Sequence, residues 1–335
     1  MNNKFYLNKN QKYNFADDIV ITDNTYAGQL ALPYVTAAVK SPDTVQFCRQ
    51  IDGLNSKAVI NNLASTDPIV SGGTGAACAF NPTDSLSVTE QVLTITDLKI
   101  NEQICRATIL PTWIGEGMRR DGDIPQTFAD FLLATVAGRA GAQMENGLWV
   151  ADASSIFGAG FLSNDGVFDQ LGLNAAAMAD FTQVTMNSGA ATTNANIDDA
   201  LSTVWTSVVG SHPGLISKPD FGFWMNNKMY GLYAQYLANS GSGQGINMLG
   251  SNQGFDGLTY LGYPIYKCPG MPDDAIVATY RENCVIGSNL GTDMTEVRLI
   301  PTYQYDGSDN VRVVMNFAVG VQVGVKTDGV VGCTF

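Results

Sequence analysis

Charged residues are scarce in this sequence, and basic residues are scarcer than acidic ones. Only 15% of the 335 residues are charged, whereas an ordinary soluble protein has roughly 25%. The 18 lysines and arginines are outnumbered by 31 acidic residues, and the formal net charge is −13. Dedicated nucleic-acid binders neutralise phosphates with basic side chains. The composition therefore argues against that class, although a container that encloses nucleic acid without gripping it remains compatible.

Residues that catalyse reactions or bind metals are also sparse. The one histidine, His212, lies in a predicted turn, and we expect it to be solvated. No Gly-x-Ser-x-Gly motif supplies a serine nucleophile, although spacing alone leaves a Cys-His pair open. The six cysteines lie far apart and form no Cys-x-x-Cys motif. We expect them to be small buried hydrophobes in a chain made in a reducing cytoplasm.

Several other signals are missing or incomplete. No stretch is apolar enough for a membrane span, and Met1–Phe15 lacks the hydrophobic region of a signal peptide. Gly73-Thr74-Gly75 begins like a dinucleotide-binding fingerprint, but the third glycine is absent and Pro82 interrupts any following helix. The acidic turns at Asp121–Asp123 and Asp306–Asp309 lack the EF-hand ligand pattern. We therefore expect no catalytic residue, no metal and no cofactor.

Two long elements and one hairpin dominate the predicted secondary structure. Apolar residues recur every four positions and predict a helix from about Asp123 to Ala151. Every odd position from Val311 to Val325 is apolar, which predicts an unusually long half-buried strand. Two β-rich runs, at Thr44–Ile51 and from Leu86 to Ile100, flank a glycine-rich stretch and predict an extended hairpin over residues 43–104. Residues 1–42 are polar and irregular, which is typical of an arm.

Shorter elements fill the region between these features. They are a helix from its cap Asn196 to Gly210, a buried strand at Phe221–Met225, a helix that opens at Asn226-Asn227, and strands at Leu261–Tyr266, Ala275–Tyr280 and Glu296–Ile300.

The order of these elements resembles the major capsid proteins of tailed phages, whose Hong Kong 97-type fold encapsulins share. Phe223-Trp224-Met225-Asn226-Asn227-Lys228 looks like the strand-to-helix unit of that family. Leu261-Gly262-Tyr263-Pro264-Ile265, followed by Gly270-Met271-Pro272, looks like its Leu-Gly-x-Pro-Val…Met-Pro segment. The resemblance in topology covers nearly the whole chain, whereas the motifs cover Phe221 to Val325.

The resemblance implies an α+β fold of the Hong Kong 97 type with five segments. They are an amino-terminal arm (1–42), an extended hairpin loop (43–104), a peripheral domain with a spine helix (105–157), an axial domain (158–289), and the remainder of the peripheral domain with a long β hairpin (290–335).

The resemblance also implies a function. Hexamers and pentamers would close an icosahedral head around double-stranded DNA, which is packaged without sequence-specific binding. Partners would be further copies of the chain and portal, scaffold and decoration or auxiliary head proteins, with no membrane. The chain would be made in the cytoplasm of a bacterial host and would end in the virion. The implied contacts between subunits lie in the hairpin loop and the final turn, at Phe47, Lys57, Gly72, Gly73, Gly75, Asp306 and Gly307.

Departures from the family and two rival functions accompany this prediction. Some members cross-link a hairpin-loop lysine to a neighbouring asparagine; Lys57 is the sole lysine between Cys48 and Lys99, and we do not expect it to react in this way. No long helical scaffolding segment is visible, so a scaffold would be separate or the chain already mature. An encapsulin shell would hold cargo enzymes instead of a genome. An acidic hydrolase is the enzymatic rival, supported only by acidity and loops that could form a cleft.

Overall fold

The described residues form a mixed α+β fold with two six-stranded sheets, a two-stranded ribbon and helices packed on both sheets. Within those residues no helix is both long enough and apolar enough to cross a membrane. The computed structural model describes residues 24–27, 39, 42–64, 87–105, 128–150, 161–162, 178, 180–239, 257–290, 296–302 and 310–334.

The long predicted strand is confirmed and lies at the centre of the first sheet, named sheet I. Its odd-numbered residues from Val311 to Val319 are buried, as a period of two requires. One edge of this strand pairs with a single long strand, and the other edge pairs with two shorter strands in succession. In order of hydrogen-bonded neighbours sheet I contains β1 (Asn24–Ala27), β12 (Glu296–Pro301), β13 (Asn310–Val323), β11 (Cys284–Ser288) and β2 (Arg49–Ile51). β12 and β11 follow each other along one edge of β13, and β5 (Thr96–Cys105) pairs with its other edge.

A long helix covers the apolar face of sheet I. This is α1 (Phe128–Trp149), whose 22 residues span about 33 Å at 1.5 Å per residue. Leu132 and Val136 belong to the same hydrophobic core as Val313 and Phe317 of β13. The four-residue spacing seen in the sequence places these apolar side chains on one face of the helix. The predicted first turn, residues 123–127, lies outside the described residues.

The second sheet, named sheet II, packs against two helices. The apolar stripe of the first helix, from Ile197 to Val208, shares a core with Phe223 and Ile276 of the sheet. Sheet II contains, in spatial order, β6 (Thr182–Thr185), β14 (Val330–Cys333), β10 (Ala275–Tyr280), β7 (Phe221–Met225), β9 (Tyr263–Lys267) and β8 (Thr259–Tyr260); the helices are α2 (Ile197–Ser211) and α3 (Asn227–Asn239).

The two predicted helix caps behave differently. Asn226 Oδ1 accepts a hydrogen bond from the Met229 backbone N–H at 2.8 Å, so the side chain caps α3. Asn196 precedes α2 but makes no capping hydrogen bond. Its Oδ1 instead accepts from the backbone N–H of Thr193 at 2.6 Å, because the preceding turn folds back onto it. Asn196 therefore occupies the predicted position before α2, but the prediction that its side chain caps the helix is wrong.

Two predicted strands are shorter in the structure. In place of a run over Thr44–Ile51, a 3-10 helix at Asp43–Gln46 precedes β2, and Phe47 N donates to the Thr44 carbonyl at 3.0 Å to close its turn. The predicted strand Leu261–Tyr266 is interrupted because Leu261 and Gly262 both have positive φ, +49° and +87°. Two such residues form the tight turn that joins β8 to β9.

Two short segments carry the chain from one sheet to the other, in addition to the longer passage from β5 of sheet I to β6 of sheet II. Arg281–Asn283 connects β10 of sheet II to β11 of sheet I, and residues 324–329 connect β13 of sheet I to β14 of sheet II. Sheet membership therefore does not follow the predicted division at residue 289, since β11 lies before it and β14 after it. The domain boundaries themselves stay predictions.

One buried side chain ties these crossings together. Asn283 Nδ2 lies 3.1 Å from the Asp328 carbonyl and 3.2 Å from the Val325 carbonyl. Its Oδ1 accepts from the Val325 backbone N–H at 2.7 Å. The Thr279 hydroxyl is a further neighbour of Nδ2, at 3.1 Å. The side-chain amide of Asn283, in the first crossing, thus makes hydrogen bonds with backbone groups of Val325 and Asp328 in the second.

We expect Asn283→Asp to lower the free energy of unfolding by about 3 kcal/mol, because a buried carboxylate would replace a donor among oxygen acceptors. Asn101→Asp is the matched control, since Asn101 is exposed on β5 and the substitution adds the same charge. Chemical denaturation followed by circular dichroism measures both variants. Equal stability of the two variants would show that the Asn283 network does not hold the crossings together.

Candidate assembly surface

The region of the predicted hairpin contains a two-stranded ribbon with two unlike faces, whose first strand follows the predicted run Thr44–Ile51 instead of coinciding with it. It consists of β3 (Lys57–Ala64) and β4 (Ser87–Thr94), antiparallel strands paired over their whole length. Residues directly opposite each other in such a ladder share a face. Val59 therefore lies on the same face as Val92, and Ala58 on the same face as Leu93.

The inner face of the ribbon is anchored on sheet I. Leu93 is fully buried, and a Cβ on Gly287 of β11 would overlap the side chains of Leu93 and Leu54. Gln322 of β13 donates its side-chain amide to the Val92 carbonyl at 3.1 Å. A Cβ on Gly320 of β13 would likewise overlap the Thr94 carbonyl. Glycines on two strands of the sheet thus let the base of the ribbon approach closely.

The outer face carries exposed valines. Val59, Val88 and Val92 are 55%, 58% and 44% exposed, and together they are named the valine face. The exposed pair Asn61–Glu90 separates Val88 from the other two valines. An isolated two-stranded ribbon is marginally stable, and clustered exposed apolar side chains mark contact sites. The valine face is therefore the surface in the described residues best suited to association.

A buried carboxylate holds the segment that precedes the ribbon. Glu145 near the end of α1 is 6% exposed. It accepts hydrogen bonds from the Thr44 backbone N–H at 3.1 Å, the Thr44 hydroxyl at 2.5 Å and the Gly270 backbone N–H at 3.1 Å. Trp149 Nε1 donates to the same hydroxyl at 2.7 Å. These residues, named the Glu145 clamp, join three chain segments far apart in sequence.

Phe47 lies beside this clamp and packs within its own chain. Its ring is 5.0 Å from the Tyr266 ring and 6.2 Å, edge-on, from the Trp224 ring. Arg281 stacks its guanidinium over Phe47 at 5.8 Å. The same guanidinium donates to the carbonyls of Phe47 and Gln46, at 3.1 and 2.8 Å. Aromatic and cation–π contacts therefore fix the chain just before β2.

The residues predicted to contact neighbouring subunits fall into two groups. Phe47 is half-buried in the cluster just described, whereas Lys57 is exposed at the start of β3, so the two do not form a single patch. The glycines Gly72, Gly73 and Gly75 and the turn residues Asp306 and Gly307 lie outside the described residues. Contact between subunits at all seven positions stays a prediction.

The reactive side chains within the described ranges are scattered over the fold. His212 is half-buried, and its Nε2 lies 2.7 Å from the Thr182 hydroxyl. It is therefore not simply solvated, contrary to what the sequence had suggested. Burial raises the pKa of the thiol of Cys268 well above its usual value and that of Cys333 to about 12, so both are held neutral and unreactive. Within the described part of the chain, no three histidine, cysteine or acidic residues are grouped to hold a metal ion.

The predicted burial of the cysteines is confirmed at four positions and wrong at one. Cys48, Cys268, Cys284 and Cys333 are buried, whereas Cys105 at the end of β5 is exposed. Cys105 lies on the same face of β5 as the exposed residues Asn101 and Gln103, opposite to the face that buries Leu98. Cys78 lies outside the described residues.

Sequence reasoning missed the valine face and the Glu145 clamp. Successive side chains of a strand point to opposite faces, so Val59 and Ala58 lie on different faces of β3. Both residues are apolar, and the sequence pattern therefore does not indicate which face packs against the rest of the protein. Glu145 occurs inside a helical apolar pattern and reads as an ordinary surface glutamate. Its partners at Thr44 and Gly270 are 101 and 125 positions away in sequence, and no local signal connects them.

The chain was compared with known proteins. No protein-family model matches it, and no curated protein matches it in sequence. Among solved structures it is similar to the capsid of a native GTA particle, with 14% identity, coverage of 89% of this chain and 90% of that chain, and a TM-score of 0.53. A structure from Mycobacterium phage Cain shows 11% identity, coverage of 88% and 89%, and a TM-score of 0.53. The capsid of Myoviridae phage XM1 shows 11% identity, coverage of 86% and 90%, and a TM-score of 0.51.

At such low identity these similarities define the fold. The chain has the mixed α+β fold of tailed-phage major capsid proteins, as the sequence motifs predicted. The assignment of individual segments to arm, hairpin loop, axial domain and peripheral domain stays a prediction.

Proposed function

We propose that this chain is the shell subunit of a phage-type head, in which copies of it form hexamers and pentamers that close around double-stranded DNA. The observation that carries the proposal is the valine face, displayed by an anchored ribbon on a capsid-type fold. Three half-exposed valines on a marginal two-stranded element are stabilised when a neighbouring copy covers them. The role is structural rather than enzymatic.

Composition supports a shell in two ways. Large mutual interfaces suit a chain in which only 15% of residues are charged, since desolvating charges opposes association. A net charge of −13 disfavours tight adhesion to phosphates, so packaged DNA would slide along the wall. A strong, salt-dependent affinity of isolated subunits for DNA would contradict the second statement.

The remaining contacts of the proposed shell follow the family resemblance. Residues between β3 and β4, including Gly72, Gly73 and Gly75, would extend the contact with a neighbour, with Lys57 at its base. Asp306 and Gly307 would contribute from the turn before β13, and Phe47 would act at the foot of the hairpin. Portal, scaffold and decoration proteins are the proposed further partners, and the virion is the proposed location.

Particle size is the direct test. We expect the purified full-length chain, alone or co-expressed with its neighbouring head genes, to give closed shells or rings of five and six subunits. Negative-stain electron microscopy and light scattering measure this. Nucleic acid inside closed particles would support a genome container, whereas an enzyme cargo would indicate an encapsulin-type shell. A monomer that persists at high concentration with all head genes present would contradict both shells.

A further inference from the structure

Two cysteines lie where adjacent strands of sheet I begin, since Cys48 immediately precedes β2 and Cys284 is the first residue of β11. β2 and β11 pair in parallel, with Arg49 opposite Val285. Extending this register by one position, just outside the ladder, brings Cys48 opposite Cys284. Paired positions on neighbouring strands lie about 5 Å apart. Disulfides join Cα atoms separated by about 4.4–6.8 Å, so this spacing is compatible with a bond.

The surroundings place the two thiols in the same buried core. Cys48 is 8% exposed and Cys284 is fully buried, and both belong to one hydrophobic core and carry free thiols. Burial, and next a side-chain hydrogen bond with Cys284, raise the pKa of the Cys48 thiol well above its usual value. A raised pKa keeps the thiol protonated and slow to react while the strands stay closed.

The backbone on both sides of the pair is held in place. Arg281, three residues before Cys284, donates to the carbonyls of Gln46 and Phe47, which immediately precede Cys48. The two chain segments are therefore fixed to each other independently of the sulfur atoms. Little rearrangement is needed to join them, which limits the strain of a new bond.

We propose that Cys48 and Cys284 form a redox-controlled disulfide site, which closes when the protein meets a low-molecular-weight disulfide such as glutathione disulfide. In a reducing cytoplasm both thiols stay free. In an oxidising exterior the bond staples β2, at the end of sheet I, to β11. The closed loop contains the ribbon and α1.

The reaction is an ordinary two-step exchange. The thiolate of Cys48, the more accessible of the two, attacks the small disulfide, forms a mixed disulfide and expels one glutathione thiolate. The thiolate of Cys284 then attacks the Cys48 sulfur and expels the second. Each departing thiolate takes up the proton that a cysteine has lost. Two protein thiols are oxidised, and one glutathione disulfide is reduced to two glutathiones.

The short edge strand provides access for the first step. β2 has three residues and lies at the end of the sheet, so it opens at a lower free energy than the central strands once the Arg281 hydrogen bonds to Gln46 and Phe47 are released. The reaction requires this opening because a buried thiol does not meet a molecule as large as glutathione disulfide. We therefore expect closure to be slow and the product to be protected from reduction once β2 returns.

The test uses the intact full-length protein incubated with glutathione disulfide, then blocked with an alkylating agent and digested without reduction. Mass spectrometry is expected to find a peptide that joins Cys48 to Cys284. The oxidised protein is expected to unfold about 4 °C higher than the reduced one, since the bond closes a very long loop. Cys48→Ser and Cys284→Ser should each abolish both effects.

Two other cysteines are the controls. Cys105 is exposed, so its conversion to a glutathione mixed disulfide shows that the reagent is active, and Cys105→Ser should behave like the wild type. Cys268 is a buried thiol of the same core and could compete for a partner. The proposal is overturned if Cys48 and Cys284 both remain open to alkylation after denaturation while Cys105 has reacted. A bond from Cys268 to either one would overturn it as well.

Discussion

Replacing Val59 with lysine and Val92 with glutamate in the same chain is expected to abolish particle formation while leaving the subunit folded. The two residues are directly opposite each other on the valine face. Opposite charges at facing positions support a strand pair, so the ribbon itself should persist. Burying those charges beneath a neighbouring subunit is unfavourable, because their hydration must be removed.

The expected effect is large because each contact is repeated throughout a shell. Loss of apolar burial at two half-exposed valines, together with desolvation of two charges, should weaken each contact by about 3 kcal/mol. That corresponds to a reduction of more than about a hundredfold in the association constant per contact. Light scattering and electron microscopy should then show subunits or small oligomers under conditions where the wild-type chain assembles.

A conservative double variant separates a lost contact from a damaged ribbon. Val59→Thr with Val92→Thr keeps the branched shape and the strand preference of valine, and we expect it to assemble at reduced yield. Circular dichroism and thermal unfolding of unassembled subunits check that both variants fold. Wild-type yield of particles from the Lys/Glu variant would show that the valine face is not covered in the assembly.

Truncating the buried carboxylate by Glu145→Ala is expected to lower the free energy of unfolding by about 4 kcal/mol. The backbone N–H groups of Thr44 and Gly270 would each lose their acceptor on Glu145 in a buried site. A buried donor without a partner costs about 1–3 kcal/mol. Urea denaturation, with intrinsic tryptophan fluorescence as the signal, measures the loss, since Trp149 lies in the same cluster.

Two further variants make this result specific. Glu145→Gln keeps one oxygen acceptor and nearly the same volume, so we expect about half of the loss. Glu102→Ala removes an exposed carboxylate from β5 and should change stability by less than about 0.5 kcal/mol. If Glu145→Ala is no less stable than Glu102→Ala, the clamp does not hold the segment before the ribbon.

The periodic elements were predictable because their signal is local. A strand as long as β13 has an apolar residue at every second position, and α1 has one at every turn. Either pattern can therefore be recognised without knowing which element it packs against. The positions of breaks were less predictable. Leu261 occupies a left-handed turn position, which a leucine in the sequence does not indicate. The chain around Thr44 forms a 3-10 helix in which Thr44 and Val45 are buried.

The candidate surface was predictable only as a region. The hairpin was predicted from two β-rich runs around a glycine-rich stretch, and Lys57 was identified from its place in that loop. Which valines remain uncovered depends on where sheet I supports the ribbon, through Gly287, Leu93 and Gln322. That support brings together residues from both halves of the chain, and a single sequence does not reveal such pairs.

The sequence by itself determined the fold class, the long helix, the long strand and the expectation of a low-charge, acidic subunit suited to assembly. These properties follow from composition and from periodic burial, which each segment carries alone. Tertiary structure decided which face of the ribbon is exposed, which carboxylate is buried and which cysteines meet. Those outcomes depend on packing between segments a hundred or more residues apart. The free energy of burying a side chain depends on these distant neighbours, and the local sequence does not reveal which residues they are.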